Sequence, residues 1–205
     1  MNRRYTLLLI ILALSLSISL YYSARIHNSH KDKTIRVTVD RPSESDPAKS
    51  GYKWEGAPND PKKLVIPEID LDGYIIKVAI DQKNDVAAPN NINLAGWYVR
   101  SVRPGNKGLS VIDGHLDGNS KPGIFNKLSE LKIGNKFTVQ YGDDSKKQFQ
   151  VISTNTVDTD RAVGYIFSQD PKVKSQLNLV TCGGNFDKSK HLYDKRVVVA
   201  SKLIN

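Results

Sequence analysis

Three side chains in this sequence have the types and setting for acyl transfer. Cys182, the only cysteine, closes the apolar run Leu177–Asn178–Leu179–Val180–Thr181, and Gly183 and Gly184 follow it. His115 follows a second apolar run, Ser110–Val111–Ile112–Asp113–Gly114. Arg196 heads a third, Val197–Val198–Val199–Ala200. Each polar residue is thus expected at the edge of a strand, where side chains face a cleft rather than a core.

The chemistry follows from the groups. A thiol is a strong nucleophile only as thiolate, and an ordinary cysteine is only a few per cent ionised near neutrality. An imidazole can take the thiol proton and return it to a leaving amine. A guanidinium or backbone N–H aimed at the carbonyl oxygen stabilises the negative charge that builds there. Gly183 and Gly184 would let a substrate backbone approach the sulfur. No cofactor is needed for these steps.

Each residue also has an ordinary structural role open to it. Cys182 could be a small buried hydrophobe, His115 a turn residue, and Arg196 a surface ion-pair partner of Asp194. His191 is a competing base, but it lies in the polar stretch Asp187–Lys188–Ser189–Lys190–His191. Asp113 and Asp117 flank His115 and, on an extended strand, would share its face, so either could orient the ring. Thr181 could hydrogen-bond at the site or serve only as a strand residue.

The elements that must hold these groups are short strands. Alternation and turn signals predict strands at 64–69, 74–80, 97–99, 109–113, 136–141, 147–152, 177–182 and 196–203, with a hairpin over 142–145. Residues 123–131 read as the one convincing helical turn, and the long connection 157–174 carries another around 165–167. About eight strands and almost no helix define an all-β, closed or nearly closed barrel.

Before it, residues 5–22 are uncharged and follow a short basic start, about long enough at ~1.5 Å per residue to span a bilayer core. We read residues 1–24 as a retained membrane anchor in preference to a cleaved signal peptide, because Tyr22 is bulky where cleavage favours a small residue. Residues 25–62 are polar and proline-rich and read as a flexible stalk outside the cell. Residues 63–205 form the folded domain.

The totals agree with one such domain: 205 residues, 39% apolar. A single cysteine excludes an internal disulfide, and with His27, His30, His115 and His191 it shows no zinc-ligand spacing. The net charge of +9 is spread among interleaved acids and no nucleic-acid motif accompanies it, which argues against nucleic acid as a partner.

Taken together, these residues resemble the sortase family of cell-surface cysteine transpeptidases. The family hallmark Thr-Leu-x-Thr-Cys is matched by Asn178–Leu179–Val180–Thr181–Cys182, departing only at Asn178. His after a strand and beside Gly is matched by Gly114–His115, and Arg opening the last strand by Arg196. Cys-Gly-Gly-x-Phe-Asp over 182–187, with Tyr193 and Arg196–Val197–Val198–Val199 after it, is most similar to class F.

The resemblance implies an eight-stranded barrel with one or two short helices. It implies cleavage of a Leu-Pro-x-Thr-Gly sorting signal between Thr and Gly through a thioacyl intermediate on Cys182. An amine on peptidoglycan precursor or another protein would then resolve that intermediate. His115 would be the general acid/base, Arg196 the oxyanion and substrate ligand, and Thr181, Gly183 and Asp117 supporting residues. The 157–174 loop would help recognise the signal. Some family members bind calcium there, but Asp158, Asp160 and Asp170 form no ligand pattern, and no metal is expected. The implied location is the cell membrane, single-pass, with the catalytic domain outside. The alternatives are an envelope peptide-binding module without turnover, and a thiol peptidase that uses water as acceptor.

Overall fold

The computed structural model describes residues 42–79 and 87–205. Eight strands close into one barrel: β1 (Pro61–Ile66), β2 (Leu71–Val78), β3 (Ala95–Tyr98), β4 (Gly108–Gly114), β5 (Lys136–Tyr141), β6 (Lys146–Asp158), β7 (Ser175–Asp187) and β8 (Leu192–Leu203). The order around the barrel is β1-β2-β3-β4-β7-β8-β6-β5. Two neighbouring pairs are parallel, β2 with β3 and β4 with β7, and the others antiparallel. Closure leaves no edge strand to protect.

Side-chain alternation sorts the strands into an inside and an outside. Ile112, Leu177, Leu179, Val197 and Val199 enter one buried core with Leu64, Ile66, Phe137 and Phe149. The Phe137 and Phe149 rings stack at 5.6 Å. Each such fully buried side chain contributes ~1.5–3 kcal/mol of transfer free energy. The intervening residues Val111, Val180 and Val198 form a second, smaller apolar cluster on the outer face, with Tyr98, Leu109 and Ile166 packed against it.

The helical turn expected within 123–131 is a 3-10 turn, Leu128–Glu130. Leu128, Leu131 and Phe125 are buried in the barrel core, and Phe125 N–H bonds back to the His115 carbonyl at 2.9 Å, so tertiary contacts override local helical preference. The one α-helix among the described residues is α1 (Ala162–Ile166), next to the turn expected around 165–167.

The two strands that carry Cys182 and Arg196 run past their expected ends, as does β6, which reaches Asp158 rather than 152. Strand β7 continues beyond Cys182 to Asp187, and β8 starts at Leu192 rather than Arg196. Cys182 and Arg196 are therefore interior residues of a long hairpin and not strand termini. The glycines after Cys182 make a bulge instead of a stop, with the pairing register shifting between Gly183 and Phe186.

Residues 42–60 lie against the barrel. Trp54 Nε1 donates to the Ile75 carbonyl at 2.8 Å, and Ser43 bridges to Asn91. Asp60, 1% exposed, holds Lys77 at 2.8 Å and Arg103 at 3.1 Å. The anchor expected over 1–24, and the stalk as far as residue 41, fall outside the described residues. No helix among the described residues is long and apolar enough to cross a membrane.

Candidate active site

The register brings the three candidate groups to one place on the barrel's outer face. Cys182 of β7 is the direct cross-strand partner of Arg196 of β8. In the parallel β4–β7 pair, Asp113 lies opposite Val180. The ladder ends at that pair; continued by two residues, its alignment sets His115 level with Cys182. The intermediate step is fixed by a hydrogen bond, from the Thr181 hydroxyl to the Gly114 carbonyl at 2.7 Å. Thr181 is 1% exposed and points into the barrel. It does not face the cleft as a site ligand would; it ties the strand end that carries His115 to the strand that carries Cys182.

His115 is held from several sides. Its Nε2–H donates to the Pro89 carbonyl at 2.7 Å. A carbonyl only accepts, so the proton stays on Nε2, and Nδ1 is the nitrogen free to exchange a proton. Gly123 packs on the His115 backbone so closely that a Cβ there would stand 2.3 Å from its carbonyl oxygen. Burial lowers the His115 pKa below its ordinary 6.5, opposed by the Pro89 bond and the Asp117 charge.

Cys182 is half-buried and unbridged. Burial pushes its thiol up to about 11; Arg196 opposes this, and the carboxylates of Asp113 and Asp117 add to it. Asp113 shares the outward face, and burial raises it to about 7 despite the attraction of Arg196.

Arg196 is braced through one nitrogen. Its Nη1 donates to Lys195 O at 3.0 Å, Thr159 Oγ1 at 3.2 Å and Tyr193 O at 3.3 Å. Among the described residues Nε and Nη2 have no hydrogen-bond partner. Arg196 does not pair with Asp194. That carboxylate accepts the Asn185 N–H at 2.7 Å inside the bulge, where Gly184 has φ +74°.

Neither Asp113 nor Asp117, either of which could have oriented the imidazole, bonds to it directly; the ring is held by Pro89 instead. Asp117 is exposed and accepts the Tyr193 hydroxyl. His191, the competing base, lies in the β7–β8 turn with φ 52° and stacks edge-on against Phe186. It is not at the thiol.

Pro89, Thr159, Tyr193 and Asp194 were not singled out for these roles. Only Tyr193 and Asp194 carried a signal, through their fixed distance from Arg196. The others reach the site from distant loops that no local pattern announces.

Asn178, where the hallmark has Thr, is 1% exposed. Its side-chain amide donates to the carbonyls of Ile166 (2.9 Å), Ser168 (3.3 Å) and Tyr165 (3.4 Å). It pins the loop bearing α1 across β7. Among the described residues no cluster of His, Cys, Asp and Glu is placed to hold a metal ion.

Residues 64–204 match the model of the sortase domain. The chain belongs to the sortase family and is a cysteine transpeptidase of that family. Solved sortases share its fold. Sortase A of Corynebacterium diphtheriae is 17% identical, covering 93% of this chain and 85% of its own, with a TM-score of 0.55. Sortase C1 of Streptococcus agalactiae is 18% identical over 70% and 67%, at 0.52. A Clostridium perfringens sortase D5 transpeptidase is 19% identical over 71% and 79%, at 0.51. No curated protein matches the chain in sequence.

Proposed function

We propose that the protein cleaves a Leu-Pro-x-Thr-Gly type sorting signal on surface proteins between Thr and Gly and transfers the Thr carbonyl to an amine of the cell wall. The observation that carries this is the pairing of Cys182 with Arg196 across β7 and β8, and the β4–β7 alignment that leads into His115 supports it.

His115 Nδ1 takes the Cys182 proton as Sγ attacks the Thr carbonyl carbon. The unbraced side of Arg196 meets the oxyanion of the tetrahedral intermediate. The His115 proton then passes to the departing glycine amine, leaving a thioester on Cys182. An incoming amine gives its proton to His115, attacks the thioester carbonyl and regenerates the thiol. Thr181 supports this by fixing the Gly114–His115 strand end, and Gly183 leaves room beside the sulfur. Asp117 acts through its charge and through Tyr193.

Class F membership is supported by the Cys-Gly-Gly-x-Phe-Asp and Tyr-x-x-Arg motifs. Anchoring in the membrane by residues 1–24, and a catalytic domain outside the cell, are supported by the uncharged 5–22 stretch alone.

The test is peptide cleavage by the full chain with and without an amine acceptor. Cys182→Ala is expected to abolish both hydrolysis and ligation with the thermal transition unchanged. Arg196→Lys keeps the charge and loses the planar fork, and is expected to lose at least about a hundredfold in kcat/KM. Turnover near the wild-type rate in Cys182→Ala would contradict the mechanism. Cleavage without ligation at any amine concentration would assign a hydrolase.

A further inference from the structure

The site above makes no use of a second concentration of charge, on the far end of the barrel. Ser175 opens β7 and Cys182 stands seven residues along it, about 23 Å away at the usual strand rise. At the Ser175 end a cavity of about 430 Å³ is lined by Lys107, Lys172, Lys174, Lys202 and Ser175. Lys147 lies beside Gly105 of the lining, with its Nζ over the Tyr141 ring at 5.3 Å.

Among the described residues none of the four lining lysines forms an ion pair. The nearest acid in sequence, Asp170, accepts the Lys172 backbone N–H at 2.8 Å and does not line the cavity. All four lysines are exposed, so solvent screens their mutual repulsion, but their fields add within the shared concavity and attract an anion to it.

A second observation points the same way. Ser175 is only 8% exposed, and its hydroxyl has no hydrogen-bond partner among the described residues. A buried hydroxyl left unpaired costs ~1–3 kcal/mol, so such groups are normally satisfied. An acceptor oxygen of a bound anion would satisfy it.

We propose that this basal cavity binds a polyvalent phosphate group. Lysines supply compact, strongly hydrated charges that suit phosphate. No aromatic side chain lines the cavity, so it offers nothing on which a nucleobase could stack. A single carboxylate would balance only one of the four ammonium groups.

The test is calorimetric titration of the full chain in non-ionic detergent with inorganic pyrophosphate at low ionic strength. The expected result is saturable binding that weakens as salt is added. In the double variant Lys107→Gln, Lys202→Gln it should fall at least about tenfold. Ser175→Ala should weaken binding while leaving the charge unchanged. Thioacylation of Cys182 should be unaltered in all variants, which shows them folded.

Mixed micelles containing phosphatidylglycerol separate the sources. If lipid headgroups occupy the cavity, they lower the apparent pyrophosphate affinity of the wild type and not of the double variant. If the ligand is a soluble phosphate, the affinity is unchanged. Absence of saturable binding, or equal binding by wild type and double variant, would overturn the proposal.

Discussion

Burial raises the Cys182 thiol to about 11 and lowers His115 below 6.5, so both groups are uncharged at neutral pH in the free protein. The thiolate–imidazolium pair is then a small fraction of the population, and proton transfer belongs to the attack itself. The rate of thioacylation should stay flat across neutral pH. It should fall on the acid side as His115 protonates, below 6.5, and on the alkaline side as the thiol ionises, near about 11. A resting ion pair would instead give an alkaline limb at the histidine. Stopped-flow acylation against pH distinguishes the two.

Asp113 is a third titrating group on the same face. Its ionised form raises the thiol, so Asp113→Asn should move the alkaline limb to lower pH. Its own pKa is raised from 3.8 to about 7, so the folded state disfavours its charge. The native state holds the proton longer than the unfolded chain, and this group's contribution to stability falls as pH rises from about 4 to about 7. Thermal melts at pH 5 and pH 8 should therefore differ less in Asp113→Asn than in wild type. An identical pH dependence would remove Asp113 from the buried network.

At the scale of elements, the long β7–β8 hairpin carries most of the site, and a bulge aims it. A Cβ on Gly184 would stand 2.0 Å from Asp194 Oδ1 at a backbone φ of +74°. Gly184→Ala should therefore destabilise the hairpin and lower kcat together. Asn178 holds the α1 loop by three carbonyls, and Asn178→Ala should cost ~1 kcal/mol in chemical denaturation, because part-buried hydrogen bonds are lost while Ser168 O keeps the Gln176 amide. Its effect on turnover should be larger for KM than for kcat if the loop contacts the signal.

The sequence made the apolar runs of β7 and β8 legible but not their length. Gly183–Gly184 looks like a stop, and only the cross-strand pairing of Phe186 with Tyr193 shows that the ladder resumes. The helical turn expected over 123–131 is there as the 3-10 turn Leu128–Glu130, at the C-terminal end of that stretch. Its apolar spacing is satisfied by packing Phe125 and Leu128 into a barrel, which no local pattern encodes.

For the molecule as a whole, strand count and turn spacing were enough to indicate a barrel, and the order of His115, Cys182 and Arg196 was enough to indicate the family. Closure order was not legible. The parallel β4–β7 contact that unites His115 with Cys182 joins segments more than sixty residues apart. The braces of Arg196 and His115, Thr159 and Pro89, likewise depend on tertiary placement. The packing of residues 42–60 on the barrel was hidden by their polar, proline-rich composition. Trp54 and Asp60 do the anchoring there through single long-range contacts.

Intact-protein mass spectrometry of the full chain with a Leu-Pro-x-Thr-Gly peptide, with and without a small amine, tests the central claim most directly. The expected result is a transient acyl adduct whose mass corresponds to the peptide through its Thr, mapped to Cys182. Addition of amine should discharge it to a ligated product. A folded protein that consumes the peptide without any adduct on Cys182 would contradict the thioacyl mechanism.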